Sequence, residues 1–296
     1  MQKFEKIRKI IHSEFPDFFI SSIKKIGEGD NSKAFLIDKN YIFRFPKREE
    51  VKQDIKKEIA VLPKIKSFLT LAIPDFKFIS KEISFVGYKS IHGEFLTPDI
   101  YSSLGSKNQI KIQKSLALFL NQLHESDLQI LKNCDLETMN YKEEYSDNFE
   151  NVQTLIYPNL NLKEREIITK VFISYFNTSE NFKYKQALIH NDFSTDHILF
   201  EKSNNEISGI IDFGDLAIGD PDYDLMYLFG SFGENFISKL LQFYRHNNPE
   251  NLLKKLIFFN LATKLQILIN ATRDNDQYDI KDGYKKLKKW IKNKGR

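Results

Sequence analysis

The stretch His190-Asn191-Asp192-Phe193-Ser194-Thr195-Asp196-His197, followed fifteen residues later by Asp212-Phe213-Gly214, carries the strongest chemical signal in the chain. Phosphoryl transfer asks a protein for a carboxylate that orients and deprotonates the attacking hydroxyl, and for ligands that fix magnesium on the phosphates. In the kinase pattern the base Asp is followed five positions later by an Asn metal ligand, and a second Asp opens an Asp-Phe-Gly. Here Asp192 is the expected base, the same offset lands on His197, and Asp212 is the second expected metal ligand. Histidine can ligate through a neutral ring nitrogen, although magnesium prefers oxygen. Seen singly, either motif reads as an Asp capping a turn beside a short strand. Seen in order, flanked by the apolar runs 187–189, 198–200 and 207–211 with a hairpin at 201–206, the two predict a phosphotransferase centre.

Upstream, Gly27-Glu28-Gly29-Asp30-Asn31-Ser32 falls between two strand signals. Small residues there let backbone amides approach phosphates, and Ser32 adds a hydroxyl donor. Such turns also join ordinary hairpins. In Tyr41-Ile-Phe-Arg-Phe45 side chains alternate, so Ile42 and Arg44 share a face. Arg44 thus occupies the place of the kinase phosphate-binding lysine, keeping the charge with a forked donor geometry. Glu58, on the next helical stretch, is its expected partner. Lys47 is a second candidate phosphate contact, with surface charge as the simpler reading.

The pattern outward from these motifs divides the chain. An amphipathic helix (Phe4, Ile7, Ile10, Ile11, Phe15) ends near Pro16; strand signals at 20–26, 34–37, 41–45, 76–79 and 85–91 surround one helical stretch at 49–68. Beyond His92-Gly93 helical periods dominate, at 110–126, 163–176 and 258–271. The expectation is an α+β, two-lobed protein-kinase-like fold: residues 1–92 a small antiparallel nucleotide-binding lobe, residues 93–296 a larger, mainly helical lobe for catalysis and substrate.

Composition agrees with an ordinary globular enzyme: 296 residues, 41% hydrophobic, 26 Phe and a net charge of +4. One cysteine, Cys134, excludes an internal disulfide and a cysteine zinc site. Neither a signal peptide nor an 18-residue apolar run is evident, so a soluble, monomeric cytoplasmic protein without membrane or nucleic-acid partners is expected. The lysines of 281–294, with Arg296, read as the solvated face of a helix whose apolar stripe is Ile280, Tyr284, Leu287 and Ile291.

With these motifs assembled, the chain resembles the antibiotic kinases, and among them the aminoglycoside 2″-O-phosphotransferases. The matching segments are Phe43-Arg-Phe-Pro-Lys47, Val86 to Pro98, His190 to Ser194 with His197, and Gly209 to Asp215 through Asp220-Pro-Asp-Tyr-Asp224. The resemblance implies Asp192 as base, His197 and Asp212 as magnesium ligands, and Ser194 close to the transferred phosphate. It places Tyr88 at the entrance to the hinge that reads the nucleobase, with backbone near Ser90 and Ile91 pairing with the base. A tyrosine there is similar to members that favour GTP over ATP; core packing is the simpler reading.

Five residues separate Gly214 from Asp220, too few for a peptide-docking activation segment, so the expected acceptor is a small molecule. From Asp212 to Ser238 there are six acids and no Lys or Arg, which points to a cationic acceptor steered by Asp192, Asp215, Asp220 and Glu234. Asp220 is also expected to buttress the catalytic loop and Asp224 to cap a helix. The segment Phe229-Gly-Ser-Phe-Gly-Glu234 carries one acid where the family has several; Asp274, Asp276 and Asp279 are candidates to restore the charge. The competing readings are a kinase of a macrolide, choline or sugar derivative, and a nucleotide-binding pseudokinase, which retention of Asp192 and Asp212 opposes.

Overall fold

A computed structural model of the chain describes residues 4–29, 31–246 and 248–294. Asp30 of the glycine turn, Arg296 and the side chain of Lys294 lie outside the described residues. In chain order the elements are α1 (Glu5–Glu14), β1 (Ile23–Glu28), β2 (Ser32–Ile37), β3 (Tyr41–Pro46), α2 (Glu49–Ile65), β4 (Phe76–Ile79), β5 (Val86–Lys89) and β6 (Glu94–Phe95). There follow α3 (Pro98–Ser103), α4 (Ser106–His124), α5 (Tyr141–Asn151), α6 (Leu162–Asn177), β7 (Ala187–Ile189), β8 (Ile198–Glu201), β9 (Glu206–Ile210) and β10 (Ala217–Gly219). The chain ends in α7 (Asp224–Phe232), α8 (Glu234–Leu240), α9 (Pro249–Arg273) and α10 (Gln277–Lys294). These elements form two compact units, Met1–Glu137 with Ser194–Leu216, and Thr138–Phe193 with Ala217–Arg296.

The first unit is built on an antiparallel sheet of order β1-β2-β3-β5-β4. Alternation in β3 sorts its side chains: Phe43 is fully buried and joins Phe35, Phe85, Ile37 and Ile11 of α1 in one core. Ile42 and Arg44 take the other face, opposite Tyr88 and Val86 of β5. Gly87 faces Phe43 across the strands, and a Cβ there would stand 2.9 Å from the Phe43 ring, so the close approach requires glycine. On α2, Val51 and Ile55 pack with Val86. Beyond residue 92 the unit continues, because β6 pairs with β8, β8 pairs with β9, and α4 packs on β9. The compact first unit therefore reaches past the boundary expected near residue 92. Helix α4 shows why it forms: Ile112, Leu116, Phe119, Leu120 and Leu123 recur at helical spacing and are all fully buried.

The second unit is helical around a two-stranded ribbon, β7 with β10. Helix α6 starts with a capping box, Asn161 Oδ1 accepting from Glu164 N and Glu164 Oε2 from Asn161 N, each at 2.9 Å. Its Phe172 and Tyr175 pack on Phe258 of α9, which Asn248 caps and Pro249 opens. In α10, Leu287, Trp290 and Ile291 are buried, with Ile280 half-buried. The five-stranded antiparallel sheet and the mainly helical remainder are the α+β arrangement expected. Among the described residues, no helix is long and apolar enough to cross a membrane.

Candidate active site

A cavity of about 880 Å³ opens within the first unit. Gly27, Gly29 and Ser32 of the turn between β1 and β2 line it, as do Arg44, His197 and Asp212. Tyr88, Ser90 and Ile91, at and beyond the end of β5, line it too, so nine residues singled out in the sequence meet in one space. Its apolar walls include Leu36, Ile42 and Leu199, along with Ile26 and Phe95, which are each 47% exposed. Sequence reasoning missed Ile26 and Phe95, because no local pattern separates an apolar side chain that lines a cavity from one that fills a core.

Arg44 organises the polar part of the cavity. Its Nη1 donates to both Glu58 oxygens at 2.9 Å, and its Nη2 lies 3.5 Å from Asp212 Oδ1. Glu58 is fully buried behind it and does not line the cavity. Burial favours the neutral form of Arg44, but the Glu58 and Asp212 carboxylates outweigh it and raise its pKa. Asp212 stands on the far side of that guanidinium with φ of 62°, a left-handed conformation uncommon outside glycine, and its Oδ2 is 3.6 Å from His197 Nε2. Ser194 Oγ lies 3.4 Å from the other ring nitrogen, Nδ1. Among the described residues no group of three or more His, Cys, Asp or Glu side chains makes a self-sufficient metal cage. Lys47, expected as a second phosphate contact, does not line the cavity; its Nζ is 3.4 Å from Glu28 Oε1, so it serves the wall of the glycine turn. The Ser90 amide donates to Asn40 O at 2.7 Å and is committed to the sheet.

Asp192 belongs to the second unit and is half-buried, in the loop after β7. The loop is held from below by Asp224: its Oδ2 accepts from His190 N and its Oδ1 from Asn191 N, both at 2.8 Å. Asn191 has φ of 67°, so those two bonds support a turn the backbone does not favour. Asp224 is fully buried, at 0% exposure. The expected roles of two acids are therefore corrected. Asp224 buttresses the loop, whereas Asp220, also at 0% exposure, caps the turn 221–223 through Asp222 N and faces Lys255 Nζ at 2.6 Å. Asp220 is spoken for, and it cannot serve as an acceptor-binding acid. Asp222, 5% exposed and paired with Lys255 and His246, is equally unavailable. Asp215 and Glu234 are exposed, and so are Asp274, Asp276 and Asp279, although Asp276 caps the start of α10.

Comparison with known proteins fits this geometry. The model of the phosphotransferase enzyme family matches residues 22–253. The fold closely follows an aminoglycoside phosphotransferase of type IIIa solved with GDP: TM-score 0.93 at 29% identity, over 99% of this chain and 100% of that one. The same enzyme solved with GDP and kanamycin gives TM-score 0.92 at 30% identity, over 98% and 99% of the two chains. Viomycin phosphotransferase of Streptomyces vinaceus is 27% identical over 101 residues, covering 33% of this chain and 34% of that protein.

Proposed function

The chain belongs to the phosphotransferase enzyme family, and on that footing we propose that it transfers the γ-phosphate of GTP to a hydroxyl of an aminoglycoside, the 2″-hydroxyl. That it is a small-molecule phosphotransferase follows from the family and the fold. The finer reading rests on one observation above all: a single cavity is lined by the Arg44–Asp212–His197 cluster, the glycine turn and the Tyr88–Ile91 segment. Those are the three parts a nucleoside triphosphate needs.

In this reading Arg44 neutralises phosphate charge, and Glu58 holds the guanidinium in place. The glycine turn and Ser32, whose buried Oγ has no hydrogen-bond partner among the described residues, add donors to the phosphates. Asp212 and His197 would hold magnesium. The donor set fits, because this ion takes one or two protein ligands and fills its shell with phosphate oxygens and water, so no full cage is needed. Magnesium, when bound, would offset charge on the phosphates. Asp192 takes the proton of the acceptor hydroxyl, and Ser194 lies near the phosphate in transfer; both roles rest on the five-residue offset from His197 and on family likeness.

Tyr88 is 5% exposed and meets Phe76 edge-on at 5.6 Å. Burial raises its pKa to about 12, so at neutral pH its hydroxyl keeps a proton to donate toward a purine. The Ser90 carbonyl and Ile91 amide are the backbone groups assigned to the base. A cationic acceptor is supported by the kanamycin and viomycin relatives. Burial of Asp220, Asp222 and Asp224 removes half of the six acids first counted toward it; of the other three Asp212 is assigned to magnesium, so Asp215 and Glu234 keep that role, together with Asp192. The test is nucleoside diphosphate release by purified protein with GTP and with ATP, across aminoglycosides, macrolides and choline. Release with GTP and an aminoglycoside is expected; turnover confined to macrolides or choline contradicts the acceptor assignment.

A further inference from the structure

The second unit contains a buried charge cluster around Lys255 and His246, two residues to which the sequence reading assigned no task. Lys255, on α9 and 3% exposed, reaches Asp220 Oδ2 at 2.6 Å, an ionic contact off hydrogen-bonding alignment, and donates to Asp222 Oδ2 at 2.5 Å. His246 Nε2 lies 2.8 Å from the other Asp222 oxygen. The remaining ring nitrogen, Nδ1, accepts the Asn248 amide at 3.0 Å. That bond fixes the tautomer: the proton of the neutral ring sits on Nε2 and is donated to Asp222. The Lys255 ammonium is further enclosed by the rings of Tyr184 and Phe259, at 5.6 and 5.8 Å. Burial favours the neutral amine, but Asp220 and Asp222 outweigh it and raise its pKa, so the ammonium is charged.

A buried ion pair is weak evidence for stability, since desolvation offsets most of its attraction; its attested use is to fix one geometry. The geometry fixed here is that of 220–224. Asp220 Oδ1 accepts from Asp222 N to close the turn 221–223, and the next residue is Asp224, the acceptor of the His190 and Asn191 amides. Tyr223 within the turn meets Phe259 edge-on at 5.4 Å, so α9 grips the turn by a ring as well as by a charge. Polar contacts from His246 and Lys255 hold Asp220 and Asp222, and two residues further along the same backbone Asp224 holds the residues that precede Asp192. We propose that Lys255 and His246 are positioning residues for transfer: they set the turn 220–224, and through Asp224 the aim of the Asp192 carboxylate, without touching nucleotide or acceptor. This rests on Asp192 being the base.

The cluster lies in the second unit and the nucleotide cavity in the first, so a positioning role has a kinetic signature that general damage does not. In His246→Phe and Lys255→Met, kcat for transfer from GTP to an aminoglycoside should fall about tenfold or more, with KM for GTP within about twofold of the parent. His246→Gln, whose amide can still donate to Asp222, should recover most of kcat. His246 is the safer site, its side chain 14% exposed against 4% for the Lys255 side chain, and it carries the test if Lys255→Met does not fold. Asp192→Asn is measured beside them. Unchanged kcat in His246→Phe with an inactive Asp192→Asn overturns the positioning role alone, whereas an active Asp192→Asn overturns the base on which it rests. Parallel loss of kcat and GTP affinity, or no rescue by Gln, marks the cluster as merely structural and overturns it as well.

Discussion

One guanidinium nitrogen of Arg44 donates to both carboxylate oxygens of Glu58, each at 2.9 Å, and Glu58 has no solvent exposure at all. The pair ties β3 to α2 and leaves the second Arg44 nitrogen facing Asp212. Its value is therefore geometric as well as energetic.

Glu58→Ala should be costly, because it leaves the Arg44 charge, 12% exposed, without its main partner. Breaking a buried pair by removing one member destabilises by about 3–5 kcal/mol. Urea unfolding should show a lower midpoint with an unchanged slope, and GTP affinity should weaken as Arg44 swings toward Asp212. A variant as stable as the parent would show that the pair contributes nothing.

Asp224→Ala strips the acceptor from two amides in the interior, at about 1–3 kcal/mol for each group left unsatisfied. Unfolding experiments should register that loss, and kcat should drop while KM for GTP holds. Asp224→Asn keeps one good acceptor and should fall between the parent and Ala. Equal behaviour of Asn and parent would argue against a charge-assisted support.

For the metal, Asp212→Ala should abolish magnesium-dependent nucleotide binding, measured by titration calorimetry with and without the ion. His197→Asn should retain substantial activity, since Asn supplies the oxygen magnesium prefers. If His197→Asn is as inactive as Asp212→Ala, His197 has a duty beyond ligation, and its 3.4 Å contact with Ser194 is where to look.

Tyr88 governs donor choice in this account. Guanine and adenine present opposite donors and acceptors at the purine edge, and a buried group left unpaired costs about 1–3 kcal/mol, or roughly tenfold to a hundredfold in preference. Tyr88→Ala should raise kcat/KM for ATP more than it lowers that for GTP. An unchanged GTP-to-ATP ratio would acquit Tyr88.

What could be read from the sequence was set by local patterns. Period-two alternation placed Arg44 on the Ile42 face of β3, and the helical period placed α4 with Ile112, Leu116, Phe119, Leu120 and Leu123 on its buried face. The two motifs read from the sequence bring His197 Nε2 and Asp212 Oδ2 to 3.6 Å from each other. Where the reading failed, the determining partner was remote. The acids after Asp212 looked free because no cation stands near them in sequence, yet Lys255 enters from α9, 33 residues beyond Asp222. The exchange of roles between Asp220 and Asp224 had the same origin, since only the fold decides which carboxylate meets the His190 and Asn191 amides. Helix α9 begins at Pro249, earlier than the apolar period at 258 implied, because its first turns are set by the Asn248 cap.

The central claim, that Asp192 deprotonates the acceptor in a nucleotide-dependent small-molecule kinase, is tested most directly by Asp192→Asn. The amide keeps the size of the side chain and removes its basicity. Steady-state transfer from GTP to an aminoglycoside should fall to background, with GTP affinity by calorimetry nearly unchanged, since the carboxylate serves the hydroxyl more than the phosphates. Near-parental turnover in Asp192→Asn would contradict the account.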